Sequence, residues 1–210
     1  MRVRIVDELP DGLGFGWIAS EAMRRCSHAL AADGRVWAID PVDGELDDGT
    51  TLEERVRALG EPAGVLQLLD RHNRDGADWA GRLGVPIHVA PRSVEGCPFR
   101  FLPIVRRRFW SEVALWWPDR RVLVAADALG TIPHYFALGG DAAGVHPLLR
   151  LAPPRVFRDL DPQHLLVGHG EGVHGAGAAA AVATALRHGR PHLLRLPLEL
   201  PKLRTRATRT

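Results

Sequence analysis

Lysine is nearly absent from this chain. Lys202 is the only one among 27 basic residues, a bias that genome composition explains as readily as chemistry. Cysteine is scarce as well. Cys26 and Cys97 are too few for a disulfide framework, and no CxxC pair marks a zinc ribbon. Both read as buried free thiols. No run approaches the ~20 apolar residues that a membrane span needs. The opening MRVRIVDELPDG lacks the apolar core of a signal peptide, so the expected setting is the cytoplasm, with no membrane partner. No repeat and no internal linker is visible. A net charge of +2 excludes a strongly basic nucleic-acid binder. What is present is ordinary for a globular protein: 46% hydrophobic and 25% charged residues. A length of 210 residues allows one domain with a sizeable core.

Turn and cap signals divide the chain. Residues 4–9 read as a strand before the Asp11-Gly12 turn. Asp33-Gly34 sits between 27–32 and 35–40, the pattern of a β-hairpin. Thr51 with Glu54 three residues on has capping-box spacing for a helix over 51–59, which Gly60 stops. Residues 64–69 form a buried strand, 75–83 a helix ended by Gly84, and 85–90 the next strand. The order strand, helix, strand, helix, strand argues for a layered α/β domain. Residues 99–110, 112–117 and 121–126 read as successive strands, and 164–167 as one more. An alanine-rich helix over 175–188 ends at Gly189. The domain is expected to span residues 1–200, followed by a basic, flexible tail over 201–210.

Four segments carry a resemblance. The first is the hairpin ending Val36-Trp37-Ala38-Ile39-Asp40-Pro41. The second is Leu68-Leu69-Asp70-Arg71-His72-Asn73-Arg74-Asp75-Gly76, and the third is EVALWWPDRRVLVAAD, residues 112–127. The last is Leu166-Val167-Gly168-His169-Gly170. In this order they resemble the metallo-β-lactamase superfamily over roughly residues 15–188. That resemblance implies an αββα sandwich of two mixed β-sheets flanked by helices, with a metal site at one edge.

It also implies a depleted site. Within the family's HxHxDH motif, Arg71, Asn73 and Gly76 stand where histidines belong, and only Asp75 is retained. The family's next metal histidine falls near Arg108. Asp127 matches the bridging aspartate and His169 the final histidine. The resemblance therefore leaves either no cofactor or one divalent ion on Asp75, Asp127 and His169. Two carboxylates and an imidazole suit zinc, iron or manganese. His72 and His134 are conceivable stand-ins, but His72 lies next to the motif positions and is expected to point elsewhere.

Arginine keeps its proton in proteins. Arg71 and Arg108 would therefore repel a cation and pair with the stranded Asp75 and Asp127. Any excess of positive charge, with Arg74, Arg106 and Arg107 adding to it, would suit a small anionic molecule. The ordinary reading of Arg106-Arg107-Arg108 is a solvated surface. Trp110, Trp116 and Trp117 read as core and sheet-face residues, and Cys97 lies in a turn with no assignable catalytic partner. Two functions stay open. One is a hydrolase of an ester, thioester or phosphoester using a residual metal. The other is a metal-free module that binds an anion or another protein.

Overall fold

The computed structural model describes residues 1–72 and 74–207, with side chains described as far as residue 199. The N-terminal sheet takes β1 (Val3–Leu9), β2 (Gly14–Ala19), β3 (Cys26–Ala32), β4 (Arg35–Ile39), β5 (Glu61–Gln67) and β6 (Ile87–Val89) in sequence order. Its first four strands are antiparallel, and β4, β5 and β6 are parallel. Right-handed crossovers need covering helices, supplied by α1 (Leu52–Leu59) and α2 (Gly76–Leu83). The second sheet is built from β7 (Arg100–Arg107), β8 (Trp110–Trp117), β9 (Val122–Ala125), β12 (His164–Val167) and β13 (Val173–His174), in the order β13-β12-β9-β8-β7. Within it β9 and β12 are parallel. A short pair, β10 (Leu129–Gly130) and β11 (Gly144–Val145), lies in the long connection between them, and α3 (Ala176–Ala207) closes the chain.

Alternation of side chains along the strands sorts the core into layers. Trp37 and Ile39 of β4 face Val113, Leu115, Val122, Val124 and Leu166 between the sheets. Their neighbours Val36 and Ala38 face Leu52, Val56, Trp79 and Leu83 of the first helices. On the other sheet Ala114, Leu123, Ala125, Leu165 and Val167 face Ala178, Val182 and Ala185 of α3. This is the αββα sandwich expected from the sequence.

Local signals act as their chemistry dictates. Asp33 and Gly34 both take positive φ in the two-residue β3–β4 turn. Thr51 and Glu54 make both hydrogen bonds of the capping box. One signal was misread. Gly189 does not end α3, which continues to Ala207 and so carries the basic segment from residue 201 onward as helix; residues 208–210 lie outside the described residues. A Cβ at Gly189 would sit 2.8 Å from Pro153 Cγ. The glycine thus lets the helix approach the preceding loop. No helix among the described residues is long and apolar enough to cross a membrane.

Candidate metal centre

Strand direction brings the polar residues to one edge. Parallel strands end on the same side, and β4 with β5, and β9 with β12, end in register at Ile39↔Leu66 and Ala125↔Val167. The segments that follow carry Asp40, His72, Asp127 and His169, so the two sheets deliver them to a common edge. There the ligand atoms of His72, Asp127 and His169 lie within 4.8 Å of one another. Both imidazoles meet one carboxylate oxygen. His72 Nε2 is 3.0 Å and His169 Nε2 is 3.2 Å from Asp127 Oδ1.

Each ring is oriented from behind. His169 Nδ1 donates to the Met23 carbonyl at 2.8 Å, which leaves Nε2 to face Asp127. His72 Nδ1 lies 3.2 Å from Asp40 Oδ2, and Asp40 is itself fixed by the Leu68 N–H on its other oxygen. An acceptor behind each ring is the arrangement that sets ring direction and basicity in metal-binding histidines. The His169 loop needs its flanking glycines. A Cβ at Gly168 would come within 2.6 Å of the Ala126 carbonyl, and Gly170 has φ +97.

The electrostatics follow the geometry. Burial alone would raise the Asp127 carboxyl, but hydrogen bonds with His169 and His72 outweigh it and hold the group far below the usual carboxylate range. Burial pulls His72 down, yet the Asp40 and Asp127 carboxylates leave it raised overall. Beneath Asp127 lies Glu112, fully buried. Its Oε1 accepts the Asp127 and Ala128 N–H groups at 2.9 and 2.6 Å, and its Oε2 accepts Trp110 Nε1 at 3.1 Å. Burial, with the charge of Asp127 adding to it, pushes Glu112 up to about 7 despite those bonds. Glu112 thus fixes the backbone that carries Asp127.

The structure groups the expected ligands only in part. Asp127 and His169 come together, but Asp75 does not join them. It precedes α2, and its Oδ2 accepts the Asp43 N–H at 2.7 Å, tying α2 to the loop after β4. His72 takes the place at the cluster. The segment from 68 to 75 has no strand or helix period, so spacing could not show which way His72 points. Gly76 faces the sheet, where a Cβ would meet Ile87 Cδ1 at 3.1 Å. Asn73 lies outside the described residues. His134 is taken by Glu199, with Nδ1 2.6 Å from its carboxylate.

The arginine-filled site also falls. Arg108 is exposed at the two-residue β7–β8 turn, over the Phe109 ring. Arg71 is exposed too and stacks 4.8 Å above Trp110. Neither pairs with Asp75 or Asp127 among the ion pairs found in the described residues. The cation behind the cluster is the half-buried Arg74. Its Nη1 donates to the Cys26 and Asp40 carbonyls at 2.7 and 3.1 Å, and its Nη2 to Gly168 O at 3.0 Å. It clamps the two sheets together behind the cluster. Sequence reasoning also passed over Asp40 and Glu112. The Asp-Pro at the end of β4 was a usable signal for the first; a lone glutamate inside a strand gave none for the second.

Two imidazole nitrogens and one carboxylate oxygen, with His169 held by a hydrogen bond from behind and His72 facing Asp40, fit a divalent transition ion with open positions. Trp110, His146, Tyr135 and Phe136 stand beside them. The rings of Trp110 and His146 are 5.6 Å apart, those of Tyr135 and His146 6.2 Å, and Phe136 stacks on His169 at 5.9 Å.

No protein-family model and no curated protein matches the chain. Solved structures do. It is similar to the DIM-1 metallo-β-lactamase exposed to ceftazidime, with TM-score 0.60 and 14% identity over 89% of this chain and 97% of that one. It is similar to TMB-1, with TM-score 0.56 and 11% identity over 89% and 98%. A metallo-β-lactamase from Hirschia baltica gives TM-score 0.52 and 13% identity over 89% and 98%. The chain has the metallo-β-lactamase fold.

Proposed function

We propose that this chain, built on the metallo-β-lactamase fold, is a metal-dependent hydrolase whose single ion is held by His72, Asp127 and His169. The observation that carries the reading is the convergence of both Nε2 atoms on Asp127 Oδ1, with the Met23 carbonyl bonded behind His169 and the Asp40 carboxylate at ion-pair distance behind His72. A fold fixes no chemistry, so the reading rests on those three side chains. A divalent ion there supplies Lewis acidity, polarising a substrate oxygen and making water acidic enough to attack near neutral pH. Two histidines and a carboxylate suit zinc, with iron or manganese as the other candidates.

The chain's own groups do the positioning. Asp40 and the Met23 carbonyl orient the imidazoles, and Glu112 anchors the Asp127 backbone. Arg71 lies over Trp110, and its charge bears on His146 beside the cluster. A cation at the mouth favours a substrate with a carboxylate or phosphate near its scissile ester, thioester or phosphoester bond.

The test is metal content together with turnover. Protein freed of metal and re-equilibrated with zinc, manganese or iron(II) is expected to hydrolyse an anionic ester, thioester or phosphoester. An Asp127→Ala, His169→Ala variant is expected to lose both the ion and the activity. Absence of metal at these residues under every condition would overturn the reading and leave a metal-free binding module.

A further inference from the structure

A second group of donors, sharing no residue with the edge cluster, lies on β1 and β3. Asp7, Cys26 and His28 place one ligand atom each within 4.8 Å of the others. Cys26 and His28 alternate with Ser27 along β3, so both point to the same face. Asp7 reaches them because β1 loses register between Val6 and Leu9, where Asp7 takes a positive φ of 53. All three are buried: Cys26 is 0% and His28 1% exposed, and the Asp7 side chain is 3% exposed.

The hydrogen bonds leave this group incomplete. His28 Nε2 meets the Val167 carbonyl at 3.1 Å, so that nitrogen carries the proton and Nδ1 presents a lone pair. That Nδ1 has no partner, although it is fully buried. Asp7 Oδ1 accepts the Gly172 N–H at 2.8 Å and His174 Nε2 at 3.0 Å. Its Oδ2 has only the Cys26 thiol, 3.9 Å away. Beside His28 Nδ1 and Asp7 Oδ2 lies Gly16, which has no side chain to fill the space. A Cβ at Gly16 would lie 2.9 Å from His28 Nδ1 and 3.2 Å from Asp7 Oδ2. An unpaired buried nitrogen normally costs free energy, and here it faces a thiol and a carboxylate oxygen.

We infer that Asp7 Oδ2, Cys26 Sγ and His28 Nδ1 form a second metal site, structural in character and selective for zinc. Sulfur, imidazole and carboxylate are all zinc donors, with water left for a fourth position. The outer contacts match the role: Val167 O fixes the His28 tautomer, while Gly172 and His174 fix the carboxylate. Charge also balances. A thiolate and a carboxylate neutralise a divalent ion, and the Arg74 cation also bears on Cys26. Binding ejects the Cys26 proton to solvent. The comparable trio Asp141, His188 and His192 lacks these features. Asp141 Oδ2 already takes both rings, His188 Nδ1 at 2.8 Å and His192 Nε2 at 3.5 Å, and neither ring has an unpartnered buried nitrogen.

Cobalt(II) provides the test, because the edge cluster contains no sulfur. Full-length protein freed of metal and saturated with cobalt(II) is expected to show a near-ultraviolet sulfur-to-cobalt charge-transfer band. The band should persist in Cys97→Ser and in the Asp127→Ala, His169→Ala variant, and vanish in Cys26→Ser. The Asp127→Ala, His169→Ala variant should also keep one zinc per chain. No sulfur band in the wild-type protein at saturation overturns the inference, and so does a band that survives Cys26→Ser. Where Cys26→Ser fails to fold, the spectrum of Cys97→Ser, with Cys26 as its one thiol, decides the matter: no band there overturns the inference. Loss of this band leaves the edge cluster's metal and turnover untouched, so the two readings fail independently.

Discussion

His72 Nε2 stands 3.0 Å from Asp127 Oδ1, although the two residues are 55 positions apart and follow strands of different sheets. This contact bridges the mouth of the sandwich at the edge where the parallel strands end. It also makes Asp127 Oδ1 the point on which both histidines converge.

The first prediction separates His72 from Asp75. His72→Ala is expected to lower zinc content by one equivalent, measured by elemental mass spectrometry. Asp75→Ala is expected to leave zinc unchanged while costing about 1 kcal/mol through the lost bond to the Asp43 N–H. The reverse pattern would return Asp75 to the ligand set.

The second concerns the arginines. Arg74→Met removes three hydrogen bonds to carbonyls and a charge that bears on Asp40 and Asp127. Urea unfolding is expected to show a loss of roughly 3–5 kcal/mol. Arg71→Met and Arg108→Met, both exposed over aromatic rings, are expected to change stability by no more than about 1 kcal/mol. A large loss in either exposed variant would revive the arginine-filled site.

The third rests on Glu112, raised from 4.5 to about 7 by burial and by the Asp127 charge. Between those values the folded chain keeps a proton that the unfolded chain has released. Stability therefore falls as pH rises through that window, by up to about 3 kcal/mol from this group. Glu112→Gln cannot ionise. In metal-free protein the wild-type-minus-variant difference in unfolding free energy should slope downward across the window and flatten above it. A flat difference throughout would mean that Glu112 is ionised in the folded protein at all these pH values.

The fourth uses two helical glycines. Gly81→Ala in α2 meets open space and is expected to stabilise by about 0.5–1 kcal/mol through helix propensity. Gly189→Ala in α3 drives a Cβ to 2.8 Å from Pro153 Cγ and is expected to lose that gain and destabilise. Thermal unfolding of the pair checks both. Equal stabilisation would show that the loop beneath Gly189 yields freely.

The layered fold was legible because its signals are periodic or local. Strand alternation, the Asp33-Gly34 turn and the Thr51–Glu54 capping box each act through neighbours in the chain, whose geometry the backbone dictates. Asp127 and His169 were legible because each directly follows a strand whose resemblance to a known motif could be aligned. His72, Asp40, Glu112 and Arg74 were not. Three of these depend on a partner from a distant segment, and His72 lies in a stretch with no repeating geometry to aim its ring. Gly189 reads as a stop in one dimension and acts as a contact surface in three. Sequence by itself determined which segments become strands and helices and how they layer. Only the tertiary structure decided which polar side chains share the edge, because that depends on where parallel strands of two sheets end against one another.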